Sequence, residues 1–191
     1  MSRVMIVVGS VRPGRVGLPI AEWVRARTEE HGGFEIDFAD LAEIALPFLD
    51  EPNHPSQRLY TKQHTFDWSA RVDDADAFIF VSPEYNHSFS PVLKNAVDFL
   101  SQEWWRKPVA FVSYGGVSAG TRGVVAMEPV LTTVGLVKTG ATLDLPFVKS
   151  LVVDGVFTPQ PKHAEILTHI LDELETLSTA LEPVRSVLAS R

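Results

Sequence analysis

The 191-residue sequence contains no cysteine. That excludes disulfides, Cys-ligated zinc, iron–sulfur clusters and a thiol nucleophile, so any electron chemistry must come from a bound cofactor. Basic residues are scarce as well: 17 Lys and Arg stand against 24 Asp and Glu, a formal net charge of −7. This balance argues against a nucleic-acid partner or an acidic-membrane surface. Long apolar runs are missing. The longest early one, residues 4–8, is too short for a signal-peptide core or a membrane span and leads straight into a glycine loop, so the protein reads as cytoplasmic. His54 and His64 have no partners at metal-ligand spacing, and no metal site is expected. What remains is ordinary for a globular protein: 45% hydrophobic and 21% charged residues, at a length that favours one domain over residues 1–191.

The apolar pattern alternates between two periods. Residues 4–8 form a continuous β-branched run ending at Gly9, and Ile20, Trp23 and Val24 then recur at helical spacing over residues 18–28. Residues 34–38 read as a second strand, followed by a breaker-rich surface loop through Pro47, Pro52 and Pro55. Residues 77–81 are a wholly apolar strand, and Val92, Leu93, Ala96, Val97 and Leu100 mark one face of the helix after it. A strand at 109–112 precedes a helix over 121–134 that must carry Pro129, with a kink expected there. A last strand is expected at 137–141. Ile166, Leu167, Ile170, Leu171, Leu174 and Leu177 form a periodic C-terminal helix suited to core packing. Strands alternating with helices, several of them apolar throughout, predict a doubly wound α/β fold with about five parallel strands. Ligands of such sheets sit beyond the carboxyl ends of the strands.

Three loops lie at those ends. The first, Gly9-Ser10-Val11-Arg12-Pro13-Gly14-Arg15-Val16-Gly17, places glycines, a hydroxyl and two guanidiniums at a helix N-terminus, which suits a phosphate. It departs from a P-loop, because Arg15 replaces the lysine and Val16 the hydroxyl residue that would hold magnesium, and it lacks G-x-G-x-x-G. A terminal monophosphate fits better than a triphosphate or a dinucleotide. The plainer alternative is a solvated turn whose arginines pair with surface carboxylates. The second loop runs from Ser82 to Phe89, with Ser90 as helix cap and Pro91 at the first helical position. Tyr85 offers a flat face and Asn86 a paired donor and acceptor, which suit an aromatic heterocycle. The third, Ser113-Tyr114-Gly115-Gly116, lets backbone approach a flat ligand closely.

Taken together, GSVRPGR, then Pro83, Glu84, Tyr85 and Asn86 with Leu93, Lys94, Asn95, Ala96 and Asp98, then the glycine loop, resemble the NAD(P)H-dependent FMN reductases of flavodoxin-like fold. That family includes quinone, azo-dye and chromate reductases. The resemblance runs from Val4 to about Gly140. It implies a flavodoxin-like three-layer sandwich with strand order 2-1-3-4-5, and FMN whose phosphate is held by Ser10, Arg12, Arg15 and Gly17. Many relatives carry Ser or Thr at position 17, where glycine offers only its backbone N–H. Pro83, Glu84, Tyr85 and Asn86 would wrap the flavin ring, and Ser113, Tyr114, Gly115 and Gly116 would border its pyrimidine end. Lys94 and Asn95 would brace the helix start. Hydride would pass from NADPH or NADH through the flavin to free FMN, a quinone or a similar small acceptor, with no catalytic side chain required. Relatives complete the pocket in a homodimer, so a dimer or a tetramer is expected.

Two rivals come from other classes. A flavodoxin-like electron carrier would bind FMN without turning over nicotinamide, although its phosphate loop would be rich in Thr and Gly rather than Arg. Gly116-Val117-Ser118-Ala119-Gly120 spells G-x-S-x-G, and Asp144 or Asp154 followed by His163 or His169 would complete a serine hydrolase in the required order. Such a hydrolase would leave the arginine loop and Tyr85 unexplained. His87 is either a substrate-side residue or an exposed loop histidine. Trp104 and Trp105 suit a dimer contact, a pocket wall or the edge of the core.

Overall fold

The computed structural model describes residues 1–189. The chain runs through strand β1 (Ser2–Val8), helix α1 (Gly17–His31), β2 (Phe34–Asp40), the short α2 (Leu41–Ile44), α3 (Gln63–Asp74), β3 (Ala77–Pro83), α4 (Pro91–Asp98), β4 (Pro108–Tyr114) and α5 (Thr121–Val134). It ends with β5 (Val137–Lys138), β6 (Leu143–Leu145), a small ribbon of β7 (Val152–Val153) and β8 (Val156–Phe157), and the long α6 (Pro161–Ala189). The main sheet is parallel, in the order β2-β1-β3-β4-β5, with β6 continuing on the β4 side. This is the expected doubly wound, flavodoxin-like arrangement.

Strand alternation sorts the core into two layers. Val4, Ile6 and Val8 pack with Ile20, Val24, Leu167, Ile170 and Leu174 under α1 and α6, while Met5, Val7, Phe78 and Phe80 pack with Trp68, Leu93, Val97 and Met127 under α3, α4 and α5. Because both faces are covered, β3 and β4 are buried at every residue, which is why they read as unbroken apolar runs. Trp104 belongs to this core: it is 1% exposed, packs on Phe78, and donates its indole N–H to the Val97 carbonyl at 3.0 Å. Trp105 is half-exposed beneath the Arg106 guanidinium.

Three local expectations need correction. Helix α3 has no counterpart in the sequence reading, because two of its four buried positions are Thr65 and Ser69, and these break the apolar stripe that Trp68 and Val72 begin. A parallel return from β2 to β3 nevertheless demands a crossover, and α3 supplies it. The last strand, expected at 137–141, is two short strands. The amides of Gly140 and Ala141 in the interruption donate to Glu173 of α6 at 2.7 and 3.1 Å instead of joining the ladder. Finally, α4 stops at Asp98, two residues before Leu100. The α5 helix continues through Pro129 as one element. No helix among the described residues is long and apolar enough to cross a membrane.

Candidate functional site

Chain order reverses at β1, between the α1 crossover to β2 and the α3 crossover to β3, so the loops after β1, β3 and β4 open on a common crevice. There the structure has a cavity of about 490 Å³, within the range of small-molecule sites. Nine of the twelve residues expected at the site line it: Ser10, Arg12, Arg15, Pro83, Glu84, Tyr85, Tyr114, Gly115 and Gly116. Gly17, Asn86 and Ser113 do not.

The first loop is held at both ends. The Gly9 amide donates to the Val81 carbonyl at 2.9 Å, and the Arg15 amide donates to the Arg12 carbonyl at 3.0 Å, closing a turn at Gly14. The Arg15 guanidinium reaches the Ser10 carbonyl at 2.6 Å and makes a two-pronged ion pair with Asp40, a carboxylate only 1% exposed at the end of β2. Arg15 therefore spends its fork on the protein, with a buried carboxylate rather than a surface one. Arg12 is different. It is exposed, and its guanidinium has no partner among the described residues. The α1 helix starts just beyond, with Val16 at the cap position and no side chain satisfying its first amides. Gly17 is buried beneath the Tyr114 ring; a Cβ there would collide with the Tyr114 hydroxyl and stand 3.0 Å from its Cζ.

The second loop carries a tight hairpin. Tyr85 and Ser88 exchange backbone hydrogen bonds at 2.9 and 3.0 Å, with positive φ at Asn86 and His87, the signature of a type I′ turn. That turn accounts for Asn86, which tolerates positive φ, and it leaves both Asn86 and His87 exposed outside the cavity lining. Tyr85 remains inside, its hydroxyl 3.0 Å from that of Ser10.

Glu84 joins the second loop to the third. Its side chain is 6% exposed and accepts from the Ser118 hydroxyl at 2.9 Å, the Arg122 amide at 3.2 Å and the Arg122 Nε at 2.7 Å. A carboxylate from another loop thus caps the N-terminus of α5, whose own cap residue is Gly120. Burial opposes the Glu84 charge, but Arg122 and Ser118 outweigh it and hold its pKa below the usual carboxylate value. A depressed folded-state pKa contributes stability in full above about pH 4.5 and loses it as the pH falls through the folded value. Urea unfolding at about pH 6 and pH 3.5 should therefore show a smaller acid loss for E84Q than for the unaltered protein; equal losses would contradict this.

No hydrogen bond joins Ser118 to His163 or His169 among the described residues, so the hydrolase constellation is not assembled. Ser118 is bonded to Glu84, Asp144 accepts from Thr142 and lies 2.8 Å from the Ser113 hydroxyl, and His163 accepts from the Gln160 amide. Ser113 is itself fully buried, between Asp144 and the Ala119 carbonyl. In the third loop the Gly115 amide donates to the Leu145 carbonyl, whereas the Gly116 amide has no acceptor among the described residues, and Gly116 lines the cavity.

Four lining residues, Phe147, Val148, Lys149 and Ser150, come from a turn after β6 that carries no motif in the sequence. Their place follows from two backbone bonds, Phe147 to Gly116 and Val148 to Gly115, at 2.9 and 3.0 Å. Phe147 sits at positive φ and is 61% exposed.

The cavity gathers what an FMN requires: a helix end without a side-chain cap, the Arg12 guanidinium, the Tyr85 ring, the Gly115-Gly116 backbone and the buried Tyr114 hydroxyl, unpartnered among the described residues. The NAD(P)H-dependent FMN reductase ntnL of Nectria sp is 34% identical over 196 aligned positions, covering 93% of this chain and 97% of that one. An NAD(P)H-dependent FMN reductase of Schizosaccharomyces pombe is 38% identical over 120 positions, covering 62% of this chain and 60% of that one. In solved structures the fold is matched by FerB, a flavoenzyme NAD(P)H:(acceptor) oxidoreductase from Paracoccus denitrificans, with TM-score 0.75 at 20% identity over 95% of this chain and 99% of that one. The family model described as NADPH-dependent FMN reductase matches residues 2–146, and the chain belongs to that family.

Proposed function

We propose that the cavity holds FMN, and that the protein passes electrons from NADPH or NADH to a small acceptor such as a quinone or free flavin. The observation that carries this reading is the junction, in one cavity, of an uncapped helix N-terminus and a mostly apolar cleft. In it, Ser10, Arg12 and the α1 amides would hold the phosphate, and Tyr85 and the Gly115-Gly116 strip would hold the ring. The chemistry FMN supplies is two-electron transfer between the nicotinamide and the acceptor. The protein's part is binding and orientation. Arg12 would offset the phosphate charge and the Gly116 amide would offer a donor to the flavin, while Glu84 fixes the two loops against each other through Arg122 and Ser118. Phe147 and Lys149 form the side by which the coenzyme and acceptor enter in turn.

The same reading includes a cytoplasmic homodimer. Supporting the dimer are Phe48 and Leu49, on a loop bonded to Asn95 of α4, and Val125 of α5, all exposed apolar residues on one side of the sheet. The test is a visible spectrum after adding FMN and desalting, followed by anaerobic NADPH, with NADH as comparison. Retained flavin bands that bleach rapidly are expected. Retained flavin without bleaching would favour an electron carrier, and no retained flavin would sink the proposal.

A further inference from the structure

Four buried side-chain polar atoms lack a hydrogen-bond partner among the described residues: those of Thr65, Ser90, Tyr114 and Arg185. Only Tyr114 lines the cavity. It closes β4 with 4% of its surface exposed. A buried phenol without an acceptor is unfavourable, so its retention calls for an acceptor supplied by something other than the chain.

The surroundings indicate which. The hydroxyl lies against Gly17, the first residue of α1, where the amides are themselves uncapped. Ser10 is its neighbour, but the Ser10 hydroxyl bonds with Tyr85 at 3.0 Å, and the Arg15 fork is turned to Asp40. Unsatisfied donors from two different elements therefore meet at one point, and a tetrahedral anion with several acceptor oxygens matches them. The phenol also occupies the space that a side chain at position 17 would need.

On the reading that the cavity binds FMN, we propose that the Tyr114 hydroxyl donates to an oxygen of the FMN phosphate, and that residue 17 is glycine in order to admit it. Tyr114 then serves the phosphate end of the cofactor through its side chain, while the Gly115-Gly116 backbone that follows it serves the ring. A hydroxyl delivered by β4 replaces one delivered by α1.

Riboflavin, which has the same ring and no phosphate, separates this role from packing. Fluorescence titrations of the unaltered protein and Y114F with both flavins are expected to show the FMN Kd rising about tenfold or more in Y114F, with the riboflavin Kd unchanged. Cofactor-free Y114F should also melt about 2–4 °C higher, because an unpaired buried hydroxyl is gone; a merely structural tyrosine would lose stability instead. Equal weakening for both flavins, or an unchanged FMN Kd, overturns the role of Tyr114 while leaving FMN binding intact. An unaltered protein that does not prefer FMN to riboflavin overturns the phosphate reading of the cavity itself, and this inference with it.

Discussion

Replacing Arg15 by alanine is expected to remove about 3–5 kcal/mol of stability, far more than the loss of a surface arginine. The reason lies in what is left behind. Asp40 is 1% exposed, and besides the guanidinium it accepts from the Ala42 amide at 2.9 Å, as the cap of α2. Without Arg15 its charge is buried and unpaired. The first loop also loses its brace, since the same guanidinium donates to the Ser10 carbonyl. In a chain of this size the stability loss corresponds to a fall in Tm of roughly 6–20 °C. R15K should recover only part of it, because an ammonium cannot reproduce the planar two-pronged pairing. R15A/D40A should lose less than the two single losses combined, as the stranded charge is then absent. Urea unfolding of the three variants is the measurement, and an R15A cost below about 1 kcal/mol would show that the pair holds little.

Gly17→Ala is the second large effect. Its Cβ would collide with a phenol packed beneath the loop, which cannot swing away, and overpacking of this kind costs about 1–3 kcal/mol. Displacing Tyr114 also disturbs the phosphate end of the cavity, so FMN retention after desalting should fall with stability. In a Y114F background the colliding oxygen is gone and the nearest remaining atoms stand at 3.0 and 3.4 Å, which a few tenths of an ångström of relaxation accommodates. The same alanine should then cost less than about 1 kcal/mol. A double-mutant cycle that gives no coupling between positions 17 and 114 would contradict the close approach.

The two variants mark the line between what is local and what is not. Arg15 reads in the sequence as a phosphate ligand because it sits in a glycine loop before a helix. Its partner, Asp40, is 25 residues away and becomes its neighbour only when β2 pairs with β1. Gly17 and Tyr114 are almost 100 residues apart, and neither residue carries a sign of the other. Asn86 shows the reverse: its place in the chain has a local reason, the positive φ of a hairpin turn, which is legible beside its resemblance-based role as a ring contact.

By itself the sequence determined the alternation of strands and helices, the strand order through its family resemblance, and the three loops that open on the cavity. Those signals are local: a short β-branched apolar run bounded by glycine reads as a buried strand, and a glycine loop between strand and helix offers amides to a phosphate. Tertiary structure decided the rest. It made a helix of 63–74 although Thr65 and Ser69 interrupt its stripe, and it split the last strand by drawing the Gly140 and Ala141 amides to Glu173. It brought Phe147–Ser150 to the cavity through bonds to Gly115 and Gly116, turned the Arg15 fork inward, and left the Tyr114 hydroxyl unpaired beside an open helix end. Each of these rests on a hydrogen bond, an ion pair or a steric limit between residues distant in the chain, and such pairings exist only once the sheet has set their distances.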